Sequence, residues 1–176
     1  MVELFGRAGR LGSSLLLILL LSLGCISQSK ELHGKVIKVV DGDTLYVKLD
    51  DGEVVKVRLV GVDAPELEEG LMRPGEYPGI HNMTCLIKYG ELAKEFLKNI
   101  TLGKSVTLEF DSIQGRKDKY GRLLVYMYLN GTDINAELIK MGFARVFYEK
   151  RFEKIKEYSK LEDDARKRRL NLWSCN

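Results

Sequence analysis

From His33 onward, apolar side chains recur at every second position. Leu45, Val47 and Leu49 alternate with Tyr46 and Lys48, and Val55, Val57 and Leu59 alternate with Lys56 and Arg58. A period of two places one set of side chains on each face of a half-buried strand. Asp50-Asp51-Gly52 between these runs supplies hairpin turn residues, so with Lys35 to Val40 the stretch reads as a meander of three strands. Then the period lengthens. Ala93, Phe96, Leu97 and Ile100 share one helical face, and Gly103 ends that helix. Ser105 to Phe110 and Arg122 to Leu129 read as two further strands. Ile134 to Met141 predicts a short helix stopped by Gly142. Phe152 to Leu170 predicts a charged helix with Phe152, Ile155, Tyr158, Leu161 and Ala165 along one side. The fold class is therefore mixed α+β, mainly β: a five-stranded OB-type barrel with three helices.

The N-terminal segment follows another rule. Arg7 and Arg10 precede an apolar run from Leu15 to Leu23, which ends in Ser22-Leu23-Gly24-Cys25. A basic start, a short apolar run and small residues at its end form a secretory signal. The run is shorter than the roughly 20 residues a membrane-crossing helix needs. Its Gly24-Cys25 end is lipobox-like, with Cys25 lipidated as the mature N-terminus; an uncleaved anchor is the other reading. Residues 1–25 are thus expected to be a signal, 26–32 a tether and 33–176 the folded domain. Either way the domain lies outside the cytoplasm, secreted or held on the outer face of the cell membrane.

Export changes the meaning of the remaining cysteines. In an oxidising compartment Cys85 and Cys175 are expected to form a disulfide, with two free buried thiols as the alternative. Neither has the spacing of a zinc ligand. Asn82, Asn99 and Asn130 lie in glycosylation sequons, which matter only in a host with that machinery. At 176 residues with 45% hydrophobic content, the chain has enough apolar material for one core. A formal charge of +3 permits a nucleic-acid partner without arguing for one.

Candidate chemistry concentrates in three polar stretches: Asp41-Gly42-Asp43-Thr44, Arg58-Leu59-Val60-Gly61-Val62-Asp63-Ala64-Pro65-Glu66, and Asp118-Lys119-Tyr120-Gly121-Arg122. Taken singly, each is an ordinary turn or polar connection. Together they hold a reaction set. Asp43 and Asp63 are hard oxygen ligands of the kind calcium takes, and Glu66 stands near enough to Asp63 to act as a base. Arg58 and Arg122 offer planar donor forks for phosphate oxygens and are expected to face phosphate and solvent. Carboxylates, a hard cation and two arginines suit phosphodiester hydrolysis. His33 and His81 fall outside all three stretches, which argues against a histidine-based nuclease.

D-G-D-T, R-L-x-G-V-D-A-P-E, D-K-Y-G-R and a C-terminal N-L-W resemble the staphylococcal nuclease family, in the same order, over about Gly34 to Ser174. The resemblance implies an OB barrel with three helices and a calcium-dependent endonuclease acting on DNA and RNA to leave 3′-phosphate products. It implies calcium ligation by Asp43, Asp63 and the Ala64 carbonyl, and catalysis by Arg58, Glu66 and Arg122. It also implies substrate contacts from Lys119 and Tyr120 at a terminal phosphate and from Tyr148 near the nucleotide. The chain departs from the family pattern between Leu67 and Lys88, where a longer segment with Pro74, Gly75, Pro78, Gly79 and Cys85 lies beside the site. A monomer is expected. The alternatives are a non-catalytic OB-fold nucleic-acid-binding module, which would typically lack these carboxylates and arginines, and a surface adhesion domain using calcium only for stability.

Overall fold

The computed structural model describes Met1, residues 31–73 and residues 75–175. The signal-like segment, Cys25 and most of the tether lie outside those residues. The meander forms as the alternation requires: β1 (Leu32–Val39), β2 (Thr44–Leu49) and β3 (Val54–Leu59) pair antiparallel. Val36, Leu45, Val47, Val57 and Leu59 point into the core. β5 (Ser105–Phe110) pairs with β1, β6 (Leu123–Leu129) pairs with β5, and β6 returns beside β3 in parallel. That last pairing closes a five-stranded barrel and covers the edges of its first and last strands.

Three two-residue strands complete the sheets: β4 (Val62–Asp63) pairs with β8 (Arg145–Val146), and β7 (Thr132–Asp133) with β6. They are too short to leave a period in the sequence. The helices are α1 (Met83–Thr101), α2 (Ile134–Lys140) and α3 (Ile155–Lys167). The expected start of the last helix at Phe152 is corrected. Phe152 is buried ahead of the helix, its ring 5.6 Å from that of Tyr158. Its spacing from Ile155 mimicked a helical stripe because both face the same core. Helix α1 begins earlier than its apolar stripe, because the Asn82 side chain caps it by accepting from the Cys85 N–H at 3.0 Å. Cys85 therefore sits in the first turn of α1.

A second, smaller apolar cluster gathers Tyr77, Ile80, Leu86, Ala165, Leu172 and Trp173. Cys85 and Cys175, 90 residues apart, are joined by a disulfide at its edge. Among its described residues the Leu67–Lys88 segment holds a 3₁₀ turn at Glu69–Leu71 and then the first turns of α1, and Tyr77, Ile80 and Leu86 pack it on the C-terminal tail. Replacing both cysteines by serine is expected to lower unfolding free energy by about 2–4 kcal/mol. Urea titration of the double variant checks this. Labelling of both thiols in unreduced, denatured parent protein would show that no bond exists in the first place.

Asp111, buried just past β5, fastens the far side of the barrel. Its carboxylate accepts from the N–H groups of Ile113 (2.8 Å), Gln114 (2.7 Å) and Glu153 (2.8 Å) and from the Tyr126 hydroxyl (2.5 Å). Burial opposes its ionisation, but the bonds from Tyr126 and the three backbone donors outweigh this and hold its carboxyl below the usual range. Because the folded value is depressed, the stabilisation is complete above the unfolded carboxyl value of about 4 and is lost as pH falls through the folded one. Asp111→Asn should cost on the order of 2 kcal/mol at neutral pH. The gap from the parent should shrink toward acid in denaturant titrations run at neutral pH and again below the unfolded carboxyl value; a gap independent of pH would exclude the carboxylate as its source.

Candidate active site

The site forms where the β1–β2 turn, the end of β3 and the segment entering β6 meet. Within the turn, Val40 N–H donates to the Thr44 carbonyl at 2.9 Å and Asp43 N–H to Asp41 Oδ1 at 3.1 Å. Gly42 is required by close approach: a Cβ there would lie 2.4 Å from Ala64 Cβ and 2.8 Å from Ala93 Cβ. Gly90 does the same on α1, where a Cβ would meet the Pro65 and Glu66 carbonyls at 2.6 and 2.8 Å. Helix α1 is thereby pressed against both acidic segments, and Asp43 and Asp63 are brought to one place.

Arg58 stands between them. Its guanidinium pairs with Asp43 Oδ1 through Nη1 and with Asp63 Oδ1 through Nη2, the latter at 2.9 Å. Asp43 also accepts from the Thr44 hydroxyl and the Ala64 N–H, each at 3.0 Å. Asp63 Oδ2 meets Arg145 Nη2 at 2.6 Å and Arg73 Nη2 at 3.3 Å. Burial pushes the Asp63 carboxyl up to about 6 despite the opposing pull of Arg58 and Arg145. Asp41 is likewise raised by burial, against Arg58, Thr44 and Arg122. Glu66 is half-buried and raised by desolvation and then by the charge of Asp41, with Asp63 and Glu76 adding to it against Arg58. Among the described residues it has no ion-pair partner within 4 Å.

The third stretch folds around its own carboxylate. Asp118 accepts from the N–H groups of Tyr120 (2.9 Å) and Arg122 (3.0 Å) and from Arg122 Nε (2.6 Å). Arg122 Nη1 also approaches the Thr44 hydroxyl at 3.5 Å, linking this loop to the acidic turn. Lys119 and Arg122 lie 5.0 and 5.5 Å from the centre of the exposed Tyr120 ring. Arg58, Arg73, Lys119, Tyr120, Arg122 and Lys150 line an open cleft of about 520 Å³.

The order of these stretches and the closed barrel match one family in particular. Residues 56–175 fit the family described as staphylococcal nuclease homologue. The chain belongs to the staphylococcal nuclease family. It is 39% identical over 158 residues to the uncharacterized protein MJ1439 of Methanocaldococcus jannaschii, covering 85% of this chain and 75% of that protein. It is also similar to the thermonuclease of Staphylococcus hyicus, at 34% identity over 150 residues, covering 85% and 80% of the two chains. The thermonuclease of Staphylococcus intermedius is 35% identical over 137 residues, covering 77% and 73%.

Several features of this staphylococcal nuclease homologue were out of reach of motif reading. Tyr148 does not line the cleft with Lys119 and Tyr120. Its hydroxyl donates to Glu162 Oε2 at 2.7 Å and lies 3.2 Å from Ser159 Oγ, beside a separate pocket of about 400 Å³; its neighbours Phe147 and Lys150 face the cleft instead. Arg145, 5% exposed, reaches Asp63 only because β4 and β8 pair Asp63 with Arg145. Arg73 and Glu76 come from the divergent segment, whose Tyr77 hydroxyl donates to the Asp63 carbonyl at 3.2 Å. Asp41 had a visible signal, since it shares the D-G-D turn with Asp43.

Asp41, Asp43, Asp63 and Glu66 offer only oxygen donors, the type a hard divalent cation takes, and burial is the main cause that raises the carboxyls of Asp41, Asp63 and Glu66. The donor set therefore fits calcium in kind. Its arrangement is not that of a preformed cage: among the described residues no three acidic, histidine or cysteine side chains are grouped to hold a metal, and Arg58 occupies an oxygen of both Asp43 and Asp63. Ala64 meets the site through its N–H to Asp43.

Proposed function

We propose that this chain is a calcium-dependent phosphodiesterase that cuts DNA and RNA outside the cytoplasm and leaves 3′-phosphate and 5′-hydroxyl ends. The observation that carries the reading is Glu66: a half-buried carboxylate with a raised proton affinity and, among the described residues, no ion-pair partner, beside Arg58. A carboxylate in that condition is more basic than a free one and is suited to general-base work. The relatives named thermonuclease support nucleic acid as the substrate.

In this reading a strand lies in the cleft with its scissile phosphate on the forks of Arg58 and Arg122. Glu66 removes a proton from a water whose oxygen attacks phosphorus. The bond from phosphorus to the 5′ oxygen breaks, that oxygen takes up a proton from solvent water as it leaves, and Glu66 returns its own proton to solvent. The two guanidinium groups offset charge on the pentacoordinate phosphorus. Lys119 and Tyr120 hold a terminal phosphate. Asp43 and Asp63, with Asp41 and the Ala64 carbonyl, would hold calcium, which supplies polarisation of a phosphate oxygen. Arg58 must then exchange its two carboxylates for phosphate oxygens on substrate binding. The signal-like segment ending at Cys25 supports export and membrane anchoring, and detergent partitioning of the mature protein tests it.

Labelled single-stranded DNA is expected to be cleaved by the full chain in calcium and left intact in excess chelator, with new ends carrying 3′-phosphate. Binding without cleavage in calcium would turn the reading toward a non-catalytic module. New 3′-hydroxyl ends would overturn the proposed direction of attack.

A further inference from the structure

The outer face of the β1–β2–β3 meander carries cations that this mechanism leaves unused. On β3, Val54, Lys56 and Arg58 alternate with inward Val55, Val57 and Leu59, so Lys56 shares a face with Arg58. Tyr46 pairs with Lys56 on one side and Lys38 on the other. The ammonium groups of Lys38 and Lys56 lie 5.9 and 5.8 Å from its ring centre. A bulge between Val36 and Lys38 leaves both Ile37 and Lys38 exposed, which turns Lys38 toward Tyr46. Farther along, exposed Lys35 stands directly opposite exposed Lys48.

Like charges directly opposite each other destabilise a sheet. Lys98, Lys140 and Lys154 are paired with Glu95, Glu137 and Asp133, while other lysines with no carboxylate within 4 Å among the described residues, such as Lys94, Lys104 and Lys160, are spread over separate parts of the chain; the meander gathers four on one face, two of them around one ring. Among the described residues, none of Lys35, Lys38, Lys48 and Lys56 has a carboxylate within 4 Å. The face is also continuous with the cleft. Thr44, Tyr46 and Lys48 follow one another on one side of β2, and Thr44 pairs with Arg58 and meets Arg122. From the Thr44–Arg58 row to the Lys48–Val54 row is about 13 Å at the usual strand rise.

We propose that this face binds a single-stranded polynucleotide and carries it away from the cleft, with phosphates on Lys35, Lys38, Lys48 and Lys56 and a base against Tyr46. Unpaired cations around an aromatic ring are the combination that tracks a single strand, with little demand on its sequence. The inference rests on the nuclease reading for the position of the strand's reactive end, but its test does not require turnover.

The test uses the full chain in chelator, so that the strand stays intact, with a fluorescent oligothymidylate of about twelve nucleotides, within the span of an OB fold. Lys38→Ala/Lys56→Ala is expected to weaken binding and to flatten the slope of log affinity against log salt by about 1.4, or about 0.7 per lost phosphate contact. The charge-matched control Lys98→Ala/Lys140→Ala should keep the parental slope. Tyr46→Leu should weaken binding about five- to a hundredfold with the slope retained. Because both lysines lie on the barrel surface, an unchanged melting temperature verifies that the variant is folded. An unchanged slope and affinity in the Lys38/Lys56 variant overturns the proposal, as does a loss confined to anionic phosphatidylglycerol vesicles. A slope change without any cleavage in calcium refutes the nuclease reading alone, and cleavage without a slope change refutes this surface alone.

Discussion

Glu66→Gln is expected to lower single-turnover cleavage by about 10² to 10⁴ while nucleotide binding survives. Glutamine keeps the size and hydrogen-bonding reach of the side chain but has neither its charge nor its basicity. Because Glu66 has no ion pair among the described residues, the change breaks no such contact, and the melting temperature should hold. The alternatives differ in sign. If Glu66 only repels substrate phosphate, glutamine tightens binding and leaves the rate alone. If it belongs mainly to the cation site, the requirement for calcium rises with the loss of rate, and saturating calcium restores much of the rate. Calorimetric titration with thymidine bisphosphate beside single-turnover cleavage at saturating calcium separates these cases. A parental rate would remove Glu66 as the base.

Arg122→Ala and Arg58→Ala should each lower cleavage by at least about a hundredfold, the usual cost of losing a transition-state donor. Their effects on stability should differ. Arg122 is partly exposed, and Asp118 keeps its two backbone donors after the side chain is gone, so the loss should stay under about 1 kcal/mol. Arg58 does not simply face solvent and phosphate. It bridges Asp43 and Asp63, which are 2% and 4% exposed, and its removal strips a charge partner from both. A loss on the order of 3 kcal/mol is expected, and calcium should restore part of it by occupying the same carboxylates. Thermal unfolding of both variants, with calcium and with chelator, reads this directly. Equal stability of the two variants would mean that the bridge contributes nothing, and a near-parental rate in either removes that arginine from the mechanism.

The sequence by itself determined the barrel. β2, β3 and β5 carry a clear alternation, β6 is a continuous apolar run, turn residues stand between the strands of the meander, and the helical stripes fall in separate stretches, so local preference and burial agree. It also marked the three polar stretches, because glycines and carboxylates crowd at the ends of apolar runs. Residues joined by neither period nor proximity were not visible there. Phe152 was drawn into a helix because a core-facing residue before a helix has the same spacing as one within it. Arg145, Arg73 and Tyr77 reach Asp63 only through a two-residue strand pair and a segment held by contacts with the tail. Tertiary structure alone decided that Tyr148 leans on Glu162, that Arg58 is shared between two buried carboxylates, and that Lys38 and Lys56 flank one tyrosine on the face that leads from the site. Periodicity shows which side of an element a residue takes, but the charges it meets there are set by chain segments distant in sequence, through closure of the barrel and packing of α1 against its mouth.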